Sequence, residues 1–136
     1  MNIVLDTNVL IVAISRNSPY NPIFQALLSN RYHLYITNEI LLEYTEVMEE
    51  RSNPTITRDV LDALVTWKNV HFVNFVYYNW HLSPQDPDDD KFIDCAVIAN
   101  ADFLVTNDKH YKAAKNSPFP TINVISAAEF LAILQP

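Results

Sequence analysis

Apolar residues in this chain fall into two patterns that alternate: short continuous runs, and stretches at helical spacing. Ile3-Val4-Leu5 is a continuous run of the kind buried on both faces of a parallel sheet. It stops at Asp6-Thr7-Asn8, after which Val9, Leu10, Val12 and Ala13 recur at helical spacing. A turn cluster at 17–22 ends on Pro22, which opens a helix through Ser29. Residues 33–37 read as a second strand. Asn38 is the predicted N-cap of a helix through Arg51 that buries Ile40, Leu41, Tyr44, Val47 and Met48. Ser52-Asn53-Pro54 stops it, and Thr57 is predicted to cap a helix turning Val60, Leu61, Leu64, Val65 and Trp67 inward. Residues 70–77 form a β-type run and the expected third strand.

A further helix carries Phe92, Ile93, Ala96, Val97 and Ala99, and a buried strand over 103–106 follows it. Residues 111–115 make a short helix or turn, 116–120 a loop and 122–125 a last strand. Ser126 then caps a closing helix, Ala127–Leu134. Strands alternating with helices, without repeats or a linker, predict one α/β domain over residues 1–136, built on a mostly parallel sheet of about five strands. Ligands of such sheets sit beyond the carboxyl ends of the strands, near the switch in strand order.

Composition narrows the chemistry. There is no glycine in 136 residues, so glycine-dependent phosphate loops are absent, and with them most nucleotide-dependent enzymes. The single Cys95 has no internal disulfide partner and reads as a small core residue in a reducing cytoplasm. No apolar run approaches the ~20 residues that span a bilayer, and the N-terminus does not read as a signal peptide. A formal charge of -7 argues against broad nucleic-acid binding by a basic surface. It leaves room for a nuclease whose carboxylates gather around divalent ions.

The acidic residues are not evenly spread. Seven of the sixteen fall between Asp86 and Asp108, and four carboxylates within three turns of helix there repel one another, which a cation would relieve. On the expected frame Asp6 and Asp108 lie just past two strand ends. Glu43 lies about one and a half turns into the helix after strand two, and Asp90 starts the helix before the later strand. All four can converge on one sheet edge, as hard oxygen ligands suited to Mg²⁺ or Mn²⁺. Each also has a plainer reading: Asp6 as a helix cap, Glu43 as an exposed helix residue, Asp108 as an Asx turn. Asp86, Asp88 and Asp102 are read as solvated or turn residues. Lys91 either pairs with neighbouring acids or touches a phosphate. Lys109, Lys112 and Lys115 read as a solvated face, the four histidines as dispersed structural or surface residues, and Tyr77, Tyr78 and Trp80 as core before base-stacking or dimer contacts.

Four segments in order resemble the PIN domain family, within it the toxin-component group. They are Val4-Leu5-Asp6-Thr7-Asn8-Val9-Leu10, Thr37-Asn38-Glu39-Ile40-Leu41-Leu42-Glu43, Asp86-Pro87-Asp88-Asp89-Asp90-Lys91-Phe92-Ile93-Asp94, and Ala101-Asp102-Phe103-Leu104-Val105-Thr106-Asn107-Asp108-Lys109. The resemblance implies a three-layer α/β/α sandwich with strand order 3-2-1-4-5 and a Mg²⁺- or Mn²⁺-dependent ribonuclease. It also implies a small antitoxin as partner, and a homodimer is compatible with it. Asp6, Glu43, Asp90 and Asp108 would be its acidic quartet, with Asn8 and Thr106 as polar supports. Asp89 is the alternative metal-facing acid to Asp90, and Asp94 lies one turn beyond it on the same face. Asn107 stands where the group commonly has glycine, and asparagine tolerates left-handed backbone. Two other classes compete with this reading: an aspartate-based phosphoryl-transfer or receiver-like domain, and a non-catalytic PIN-like binding module. Strand one lacks the second aspartate that the phosphoryl-transfer class places two residues on.

Overall fold

The computed structural model describes residues 1–73, 90–111 and 121–135; of Asp90 it describes the backbone alone. The strands are β1 (Asn2–Leu5), β2 (His33–Ile36), β3 (Val70–Phe72), β4 (Phe103–Val105) and β5 (Val124–Ile125). The helices are α1 (Thr7–Ile14), α2 (Asn21–Leu28), α3 (Asn38–Arg51), α4 (Pro54–Thr66), α5 (Asp90–Ile98) and α6 (Ala127–Leu134), with a 3₁₀ turn at Lys109–Tyr111. All four strand pairings are parallel, in the order β3-β2-β1-β4-β5. The continuous apolar runs explain the sheet: Ile3, Val4, Leu5, Leu34, Ile36, Leu104 and Val105 are all buried.

The chain steps outward from β1 to β2 to β3, then returns across the sheet to β4. Right-handed crossovers therefore place α5 on the face opposite α1 and α2. α1 packs on α2 and α2 on α6, whereas α5 packs on β1, β2 and β4. The switch in direction falls between β1 and β4, the position where open α/β sheets bind ligands. No described helix is long and apolar enough to cross a membrane.

Without glycine, the chain turns its helix ends with asparagine. Among the described residues Asn30 and Asn100 have positive φ, at 59° and 50°. In each case two backbone bonds close the helix end: Asn30 N to Leu27 O and Arg31 N to Ala26 O, Asn100 N to Val97 O and Ala101 N to Ala96 O. This is the Schellman arrangement, with asparagine taking the left-handed position at a smaller steric cost than a branched residue. Asn107 does not share this backbone. Its side-chain oxygen instead accepts the Ala127 N–H at the start of α6.

Helix starts differ from expectation by a few residues, for a common reason. Thr37, not Asn38, caps α3 by accepting the Ile40 N–H at 3.2 Å, and Asn38 is already helical. Asn53, not Thr57, caps α4 by accepting the Ile56 N–H at 2.8 Å, with Pro54 in the first turn. Thr57 is a buried interior residue whose hydroxyl donates to Asn53 O. Thr and Asn are both good caps, so neighbouring candidates compete and tertiary context decides. Ser126 caps α6 with a full capping box through Glu129, as the sequence predicts. Val65, expected inward, is 55% exposed. β3 covers Val70–Phe72 of the predicted strand; its residues 74–77, with Tyr78 and Trp80, lie outside the described residues, as do Lys112 and Lys115.

Candidate functional site

The site is built at the carboxyl ends of β1 and β4. Asp6 leaves β1 with its backbone N–H bonded to Val105 O of β4 at 3.0 Å, which ties the two strand ends together. Its side chain is only 6% exposed. One carboxylate oxygen accepts the Thr7 N–H at 2.8 Å, capping α1, and the other accepts the Thr106 hydroxyl at 2.7 Å. Thr106, the first residue past β4, also accepts the Asp108 N–H at 3.0 Å. One buried hydroxyl thus sets both Asp6 and the backbone of Asp108. The Asp108 carboxylate accepts the His110 N–H at 2.9 Å. His110 Nδ1 lies 3.2 Å from the same oxygen, outside hydrogen-bond geometry, and forms an ion pair only when the imidazole is protonated.

Glu43 arrives from α3, which is docked by Tyr44: the Tyr44 hydroxyl donates to Leu5 O at 2.6 Å and its ring faces Phe92 of α5. Both Glu43 carboxylate oxygens are engaged. One accepts the Thr7 hydroxyl, and the other lies 2.8 Å from Lys91 Nζ in the first turn of α5. The same Lys91 contact draws the start of α5, and so the position of Asp90, to this sheet edge. Burial pushes the Asp6 carboxyl above its ordinary pKa, against the hydrogen bonds from Thr106 and Thr7 that lower it, and the charges of Glu43 and Asp108 push it further up. Three acids therefore feel one another here, around a carboxylate largely withdrawn from water.

The remaining candidates are placed as follows. Asn8 is exposed and its side-chain oxygen accepts from Arg51 at the end of α3, at 3.2 Å. Asp94 is buried within α5, 5% exposed, next to Cys95, whose thiol is pushed up to about 12 by burial and by the Asp94 charge. Asp90 opens α5, but its side chain, and Asp86, Asp88 and Asp89, lie outside the described residues. Asp102 sits at the opposite edge, accepting the Asn2 N–H at 2.7 Å as a turn residue. Thr7 was missed by sequence reasoning. A threonine after a strand-end aspartate reads as an ordinary helix start, and only the packing of α1 on α3 brings its hydroxyl to Glu43. The histidines are less dispersed than their spacing implies. The β2–β3 register sets His33 Nδ1 2.9 Å from His71 Nε2, with Tyr35 stacked on His71.

The donor chemistry fits a hard divalent ion: carboxylates and a hydroxyl, with the His110 imidazole beside Asp108. Among the described residues no three or more His, Cys, Asp or Glu side chains form a closed ligand group, so a full set would draw on the start of α5. A cleft of about 230 Å³ opens beside Asp108, lined by Thr106, Asn107, Lys109, Tyr111 and Ser126 among others.

Comparison with known proteins agrees with this frame. The PIN domain family model matches residues 2–110, and the chain belongs to that family, whose members are generally nucleases. Among solved structures the chain resembles the crystal structure of VapBC2 from Rickettsia felis bound to a DNA fragment from their promoter. The TM-score is 0.63 at 19% identity, covering 93% of this chain and 98% of that one. No curated protein sequence matches. The shared fold includes the five-stranded α/β sheet expected from the sequence.

Proposed function

We propose that this protein is a Mg²⁺- or Mn²⁺-dependent endoribonuclease acting in the cytoplasm as the toxin of a toxin–antitoxin pair. The observation that carries the reading is Asp6: a nearly buried carboxylate held between two strand ends, its pKa raised by burial and by Glu43 and Asp108. A fold keeps such repulsion where a cation is to be placed. Family membership supports nuclease chemistry, and the likeness to a VapBC2 complex supports a small protein partner.

Asp6, Asp108 and Asp90 would hold the ion or ions, with Asp89 as the alternative to Asp90 and Asp94 behind them. When bound, the metal supplies Lewis-acid charge at the phosphate and acidifies a water. The chain's own residues do the rest. Thr106 and the Thr7 N–H fix the two Asp6 oxygens, leaving each with a lone pair to spare. Glu43 takes the proton of the attacking water as general base, oriented by the Thr7 hydroxyl. Thr106 sets Asp108 through its backbone N–H, and Asn8 lies on the neighbouring rim.

The test is cleavage of a single-stranded RNA by purified protein with Mn²⁺, with chelator, and with Asp6→Asn. The reading expects cleavage only in the first. Equal cleavage in all three, or none with Mn²⁺, overturns it.

A further inference from the structure

Lys91 is the one cation that the described structure places on the site's acids. Its Nζ lies 2.8 Å from Glu43 Oε1, and its side chain is only 15% exposed. It stands in the first turn of α5, an end where the helix dipole is positive and a lysine is unfavourable. A lysine that served the helix would sit at the other end. Its position is therefore explained by what it faces, a carboxylate beside the buried Asp6 and within reach of that acid's charge.

We propose that Lys91 is a catalytic residue that binds the scissile phosphate of the substrate and is parked on Glu43 when no metal is present; this rests on the nuclease reading above. A divalent ion held by Asp6, Asp90 and Asp108 would stand close to Glu43 and repel the ammonium, which weakens the hold of Glu43 on Lys91. Lys91 has a flexible four-carbon stem and three donors, so release from Glu43 leaves it at the sheet edge as a point charge for a non-bridging phosphate oxygen. The arrangement has two consequences. The ammonium neutralises part of the carboxylate repulsion in the metal-free protein, and it competes with the metal. On a chain of net charge -7 it supplies local positive charge where a phosphodiester must approach.

The test compares wild type, Lys91→Met and Lys91→Arg, each first shown to melt cooperatively. Calorimetry reads Mn²⁺ binding, and stopped-flow anisotropy reads binding of a 12-nucleotide single-stranded RNA with Mn²⁺ before turnover. With Lys91→Met, Mn²⁺ affinity is expected to rise by about two- to fivefold, the scale of a partly exposed ion pair. The slope of log RNA affinity against log salt should shrink by about 0.7, one phosphate contact on a single strand. Lys91→Arg should restore the slope. Wild-type Mn²⁺ binding with an unchanged or weakened Lys91→Met value, or an unchanged salt slope, overturns the role of Lys91 and leaves the nuclease reading standing. A wild type that takes up no Mn²⁺ overturns both.

Discussion

The two ends of the central strands each carry an aspartate, and the contrast between them separates function from local structure. At the carboxyl edge, Asp6 is 6% exposed, accepts two hydrogen bonds and faces two further acids. At the amino edge, Asp102 is exposed and accepts the Asn2 N–H before β4 begins. Asp102 does what a turn aspartate does, at little cost. Asp6 is a carboxyl in a place that favours its neutral form, which local structure does not require. A cap on α1 alone would be served as well by asparagine or serine.

The contrast breaks most sharply on substitution. Asp6→Asn is expected to lower Mn²⁺ affinity and RNA cleavage by at least about a hundredfold, beyond the loss from a residue that only supports a ligand. Asp102→Asn should leave both unchanged, as checked by calorimetry and a cleavage assay. Next in size is Thr106→Val. It strips a partner from a nearly buried carboxylate and from the Asp108 N–H, and should cost about 1–3 kcal/mol of stability in denaturant melts. The same variant should lose about ten- to a hundredfold in metal affinity.

A smaller effect belongs to the amino edge. Asn100→Ala forces alanine into φ 50° and should cost about 1–2 kcal/mol, with metal binding intact. Acid titration gives the smallest signal, and its sign is diagnostic. Because the folded pKa of Asp6 is raised above 3.8, the protonated form favours the fold. The metal-free protein should therefore lose this contribution as pH rises from about 4 through the folded pKa. Asp6→Asn should remove that dependence and raise the metal-free melting temperature at neutral pH. His71 works in the opposite sense. Partial burial and the neighbouring His33 lower its pKa, so its contribution is present above pH 6.5 and is lost as pH falls through the folded value. Melts from pH 7 to 5 in wild type and His33→Ala read this difference.

The sheet was legible because its strands are continuous apolar runs, and so were Asp6 and Asp108, which end two of them. The closing helix was legible to the residue, because Ser126 and Glu129 make both halves of a capping box. Caps were less so: Thr37 beside Asn38, and Asn53 ahead of Thr57, offer the backbone equivalent oxygens. What sequence could not show is what register and packing create. The Thr7–Glu43 contact depends on how α1 lies on α3, and the His33–His71 contact on how β2 meets β3. Lys91 had two readings in sequence. The structure pairs it with Glu43, an acid 48 positions away along the chain.

The central claim is that Asp6 is withdrawn from water to hold a metal. Its most direct test is calorimetric titration of Mn²⁺ into wild type, Asp6→Asn and Asp102→Asn side by side. The account predicts saturable binding by wild type and Asp102→Asn, and none by Asp6→Asn despite a higher metal-free melting temperature. Equal binding by all three proteins, or none by wild type at millimolar Mn²⁺, would contradict it.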